Sequence, residues 1–190
     1  MDSIECGKRR IREIVAGSRV KEDPLHAENT LEWLLRLDPK ANEALQIAAL
    51  AHDIERAVEA GRVRRANYDD YDVFKAAHAH NGAKILRGIL DKCGIAKPIN
   101  DEACRLVALH EVGGDPRSDL LKNADSISYF EVNMPLYYQR EGWEETKRRC
   151  IWGYRRLSAR MKKIAKSITY EDEVLTCLLK KAIMQACLKD

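Results

Sequence analysis

One segment limits the fold more than any other. In ANEALQIAALAHDIERAVEA, residues 41–60, the apolar residues Ile47, Leu50, Ile54, Ala57 and Val58 spread over several sides of a helical wheel. A helix over 39–60 is therefore apolar nearly all round and belongs at the centre of a bundle. Yet Leu45, Ala49, His52, Asp53 and Arg56 share an arc of roughly 100°. Charged groups stay out of cores unless they are paired or metal-bound. A divalent cation held by imidazole and carboxylate, with Arg56 gripping an anion beside it, satisfies all three polar residues.

The rest of the chain predicts helices as well. Phe, Trp and Tyr make up only 6% of the residues, and no stretch alternates β-branched residues, so strands are not expected. Pro is well placed at a first helical position behind an Asp N-cap. The pairs Asp23-Pro24, Asp38-Pro39 and Asp115-Pro116 should therefore each open a helix, with Gly61 and Gly94 as stops. This gives helices near 3–17, 24–37, 39–60, 71–93, 100–112, 116–130, 143–168 and 171–188. The stretch 131–142, with Pro135 and Gly142, is expected to break one helix from the next. At 190 residues, the chain reads as one all-α domain, 1–190.

Composition excludes several function classes. The chain has 33 Lys plus Arg against 30 Asp plus Glu, a net charge of +3, too balanced to call for a nucleic acid or a membrane surface. Nine Lys/Arg lie between Lys147 and Lys166, but they fall opposite the stripe Ile151, Tyr154, Ser158, Met161, Ala165, Ile168, where an amphipathic helix is polar in any case. No run approaches the roughly 18 apolar residues of a bilayer span. The opening MDSIECGKRRIREIV has no apolar signal-peptide core. Six scattered cysteines without a CxxC pair read as reduced thiols, and the whole as a cytoplasmic protein.

All five histidines lie between positions 26 and 110. His26 opens a stripe with Thr30, Trp33 and Leu37, and His110 ends the stripe Ala103, Leu106, Val107. On the helix 71–93 the residues Phe74, Ala77, Ile85 and Ile89 centre near His78, while His80 points about 160° away and should be exposed. Gly82 and Ala83 would let another helix approach. Asp125 follows Leu121 by one turn. Four imidazoles and two carboxylates on apolar faces of five helices call for one convergent site. Glu55 lies one step off the His52 face, where it either orients water or meets solvent.

These residues, in this order, resemble the HD-domain superfamily of metal-dependent phosphohydrolases. The motif is His26, the doublet His52-Asp53 in AALAHDIER, and Asp125 in LLKNADSIS. His78 in HAHNGAKIL and His110 extend the likeness to the dinuclear subset. The match covers about residues 20–130 and leaves 131–190 as a C-terminal helical extension. The resemblance implies His26, His52, Asp53 and Asp125 on a first metal, with Asp53 bridging to a second held by His78 and His110. Such a nitrogen and oxygen set suits Fe, Mn, Co or Ni better than Mg. It further implies hydrolysis of a phosphate ester or anhydride, the substrate being a nucleotide or related small molecule. Asp53 and Arg56 would serve catalysis, with Arg56, Lys75 and Lys122 contacting substrate; Arg62, Arg64 and Arg65 are weaker candidates. Two other readings are a di-iron oxygenase, against which Arg56 tilts, and a non-catalytic nucleotide sensor. The last helix pair offers a surface for a homodimer.

Overall fold

In the computed structural model, which describes residues 2–188, the central helix begins later and ends earlier than the wheel predicts. Asn42, not Asp38, is its N-cap: the Asn42 side chain accepts the Leu45 N–H at 3.2 Å. Asp38 instead accepts from Lys40 N in a separate turn. The helix closes at Ala51, and Asp53 has left the helical region at φ −103°, ψ 14°. A 3₁₀ turn, Ile54–Ala57, follows.

The regular elements among the described residues are all helical. They are α1 (Ser3–Ala16), α2 (Asp23–Leu37), α3 (Glu43–Ala51), α4 (Tyr71–Lys92), α5 (Lys97–Leu109), α6 (Pro116–Ser128), α7 (Met134–Arg155), α8 (Ala159–Ser167) and α9 (Glu173–Cys187). The chain forms two compact units, Met1–Ala124 and Asp125–Asp190.

In the first unit α3 is the centre, as its composition requires. Seven of its nine residues are buried, and it packs against α1, α2 and α5. Ile47 and Leu50 of α3 are fully enclosed, and Ile11, Leu34, Leu86, Leu90 and Leu106 are fully enclosed around it. Helix α4 lies along α5; a Cβ at Gly82 would stand 3.5 Å from Val107 and 3.7 Å from the His52 carbonyl, ordinary contact distances, so the approach does not depend on glycine there. Gly94 ends α4 in the left-handed conformation, φ 66°. The amides of Gly94 and Ile95 turn back to Asp91 O and Leu90 O, the Schellman arrangement that glycine at this position favours.

The second unit narrows one sequence expectation and corrects another. The break expected within 131–142 falls at Gly142, where two helical segments of α7 meet at a kink; the residues before it are helical, since a π-helical turn, Tyr129–Asn133, runs into α7, with Pro135 in its first turn. Proline there costs nothing, because that N–H has no helical partner anyway. Only Gly142, at φ 77°, leaves the helical geometry inside α7. The expected helix 143–168 is two helices, since Ser158 starts α8 by accepting the Met161 N–H. Helices α7 and α9 pack together around Cys150, Tyr154, Leu178, Leu179 and Ala182, all buried.

The expectation of six reduced thiols is also corrected. Cys6 in α1 and Cys93 at the end of α4 form a disulfide, with Cα atoms 5.7 Å apart across 87 residues of sequence. Nothing local announces that pair, because only the packing of α1 on α4 brings the two together. Bridged cysteines also remove the thiol argument for a cytoplasmic location. No helix among the described residues is long and apolar enough to cross a membrane.

Burial pushes the Cys104 thiol up to about 11 and the Cys150 thiol up to about 12, while Cys177 and Cys187 are exposed. Since the thiolate is the reactive form, native alkylation without reductant should label Cys177 and Cys187 only. Denaturation should add Cys104 and Cys150, and reduction should add Cys6 and Cys93. Mass spectrometry counts the adducts. Reduction should also lower stability, by up to about 4–5 kcal/mol for so long a loop in the chain-entropy account. Denaturant titration of the wild type and of Cys6→Ser, with and without reductant, measures it.

Candidate metal centre

Two helix ends build the same local device. The last carbonyls of a helix lack intrahelical partners, and a histidine at the C-cap can donate back to one of them. His52 caps α3 and its Nδ1 donates to Ala49 O at 2.8 Å; His110 caps α5 and its Nδ1 donates to Val107 O at 2.7 Å. A carbonyl only accepts, so Nδ1 carries the proton and each Nε2 is left with its lone pair. A ligating histidine requires that tautomer.

The neighbouring residues converge on His52. His26, in the first turn of α2, places its Nε2 3.1 Å from His52 Nε2. Two nitrogens at right angles about one transition-metal ion stand about 3 Å apart, given bonds of about 2.1 Å. Asp53 stands between two groups of imidazoles. Its Oδ2 lies 3.7 Å from His26 Nε2 and 3.4 Å from His52 Nε2, while its Oδ1 lies 2.9 Å from His78 Nε2. Asp53, His78, His110 and Glu111 each offer a ligand atom, all within 4.8 Å of one another. The donor set fits a metal ion.

A second layer of contacts fixes these side chains. Glu55 is buried, not solvent-facing, and its Oε2 accepts from His78 Nδ1 at 2.7 Å. This carboxylate–imidazole contact turns the His78 Nε2 lone pair towards Asp53. The other Glu55 oxygen accepts the Val63 amide. Burial favours the neutral form of Glu55, but His78 and the Val63 N–H outweigh it and hold its carboxyl below the usual range. Asp53 follows the same pattern: burial opposes its ionisation, but the Arg56 guanidinium above all holds it well below the carboxylate norm.

Arg56 lies across two carboxylates. Its Nη2 is 2.8 Å from Asp53 Oδ2 and its Nη1 donates to Asp23 Oδ1 at 3.1 Å. Lys75 is buried and paired with Glu111, whose Oε1 is 3.2 Å from His110 Nε2. Lys122 is bound to Asp119 Oδ1 and the Val112 carbonyl. Asp125, on α6, is buried and is the first residue of the second unit. His80 is exposed on the far side of α4, as its wheel position predicts.

Sequence reasoning missed Glu111 and left Glu55 open. The signal for Glu111 was its adjacency to His110. Asp23, read only as a helix start, is buried beneath Arg56. The wheel could not place Glu55, because the chain leaves the α-helix at residue 52, where 100° per residue no longer applies.

These features define an all-α protein with buried histidine–carboxylate clusters able to hold a metal ion. The chain belongs to the DUF4202 family, a domain of unknown function, whose match spans residues 10–178. No curated protein and no solved structure matches it.

Removing one partner of a buried ion pair strands the other charge, at a cost of about 3–5 kcal/mol. Lys75→Ala should therefore destabilise the chain by roughly that amount, and the double variant Lys75→Met, Glu111→Gln by much less. Urea unfolding reads both losses. Lys75→Met, Glu111→Gln and the double variant close a double-mutant cycle; single losses that simply add in the double variant would show that the pair is not coupled.

Proposed function

We propose that this centre holds one or two divalent transition-metal ions and hydrolyses a phosphate ester or anhydride of a nucleotide or related small molecule. The observation that carries the reading is the split of Asp53, one oxygen towards His26 and His52 and the other towards His78. A carboxylate can span two ions in that way, whereas an imidazole nitrogen cannot. In this reading His26, His52, Asp53 and Asp125 hold a first ion, as the HD-domain resemblance implies. His78 and His110 hold a second, with Glu111 beside them. The mixed donors favour Fe, Mn, Co or Ni over Mg.

A bound divalent cation supplies a water of lowered pKa and neutralises charge on phosphoryl oxygens. The chain's own residues do the rest. Arg56 keeps Asp53 ionised and oriented, and its side chain, 23% exposed, carries the cation best placed to meet a phosphate oxygen. Glu55 fixes the ring of His78. Lys75 and Lys122 are further candidates for substrate contact, once a phosphate competes with their present carboxylate partners.

Elemental analysis of protein purified without chelator or nickel affinity tests the reading. Wild type should carry close to two ions per chain, His78→Ala close to one, and His80→Ala as many as wild type. Asp53→Ala should lose metal and phosphate release together. Arg56→Ala should keep its metal and raise KM in a nucleotide phosphate-release assay by roughly ten-fold or more, the worth of a charged hydrogen bond. A chain that takes up no ion even when metal is added back would overturn the hydrolase and favour the nucleotide sensor.

A further inference from the structure

Two chains of polar contacts leave Asp53 and end at one place. The first runs from Asp53 Oδ2 to Arg56, from Arg56 to Asp23 at 3.1 Å, and from Asp23 Oδ2 to the Ser18 hydroxyl at 2.6 Å. Ser18 also accepts the Val20 N–H, which brackets Arg19. The second runs from Asp53 Oδ1 to His78, from His78 to Glu55 at 2.7 Å, and from Glu55 to the amide of Val63. Val63 stands between Arg62 and Arg64, and Asn81 holds the same loop by donating to Gly61 O at 3.1 Å.

The two ends meet at Glu59. Arg19 lies 4.0 Å and Arg62 3.8 Å from Glu59 Oε2, and Arg64 pairs with Oε1. Three guanidiniums about one carboxylate leave two positive charges uncompensated. Exposed ion pairs contribute little to stability, and like charges repel, so the pairing with Glu59 does not explain the convergence. The segments that carry the arginines are pinned from below, through contacts that begin at Asp53. The contacts fix the backbone that carries the arginines, while the Arg19 and Arg64 side chains stay largely exposed and Arg62 is partly buried. Guanidiniums gathered in this way match the several oxygens and multiple charge of a phosphate group better than a single carboxylate does.

We propose that Arg19, Arg62 and Arg64, converging on Glu59, form an anion subsite for the distal phosphate of a substrate whose reacting phosphate lies at the Asp53 centre. The substrate is then a di- or polyphosphate, not a monoester. This rests on the hydrolase reading above and names its substrate class. Glu59 is the resident anion that the incoming phosphate displaces.

Calorimetry on the full chain, with inorganic tripolyphosphate and orthophosphate as probes, tests the subsite. Wild type should bind tripolyphosphate more tightly than orthophosphate. Arg62→Ala with Arg64→Ala, and separately Arg19→Ala, should each weaken tripolyphosphate by about ten-fold or more, with metal per chain unchanged. Glu59→Gln should tighten it several-fold, a gain that loss of a merely structural ion pair would not produce. Unchanged binding in the arginine variants, or weaker binding in Glu59→Gln, overturns the subsite. If the metal is present at the same time, the hydrolase reading still stands. Arginine-dependent binding in a chain that takes up no metal keeps the anion site and overturns the hydrolase.

Discussion

The carboxylate of Asp53 is the contact on which the first unit's polar interior depends. Around it lie four imidazole and guanidinium groups, buried or nearly so, that would be costly to enclose alone. Asp53 faces His26, His52, His78 and Arg56 at once, and each of these has a second partner or a neighbouring imidazole. The cost of burying the charges is offset only because the whole set is connected; a partly satisfied network would be worse than an apolar core. This geometry exists because α3 stops at Ala51. A regular helix through residue 60 would have set His52, Asp53 and Arg56 on one stripe and turned Glu55 aside. The 3₁₀ turn instead brings Glu55 beneath His78 and leaves Arg56 within reach of Asp23.

Elements that depend on residue periodicity were legible in the sequence. The enclosure of α3, the inward aspect of His26, His78 and His110, the exposure of His80 and the stop at Gly94 follow from patterns of three to five residues. What depends on distance in space was not legible. The Cys6–Cys93 bridge joins residues 87 apart, and Lys75 finds Glu111 only because α4 lies along α5. Local competition misled as well. Asp38-Pro39 carries the residues of a helix start, but Asn42 three positions later caps the Leu45 amide, and the apolar run begins at Ala44. The end of α3 had no breaker to mark it, since neither glycine nor proline lies between Asn42 and Gly61.

A metal-binding reading needs more than several histidines close together, because a proton can join two imidazoles as well as a cation can. The C-cap device bears on this point. At His52 and at His110 the backbone itself takes up the Nδ1 proton, through carbonyls that the end of a helix leaves without other partners. The tautomer is therefore set by secondary structure, before any ligand arrives. At His78, in the middle of α4, no carbonyl is free to do the same, and a buried carboxylate, Glu55, does it instead. Three histidines in different local settings thus reach one outcome: Nδ1 engaged behind, and Nε2 turned to a ligand group, beside His26 and Asp53 for His52 and with Asp53 and Glu111 for His78 and His110. Three independent fixations with a single result are hard to account for by core packing alone, which would be served as well by leucine at each position. They follow directly if each Nε2 has a cation to meet, His52 at one ion and His78 and His110 at the other.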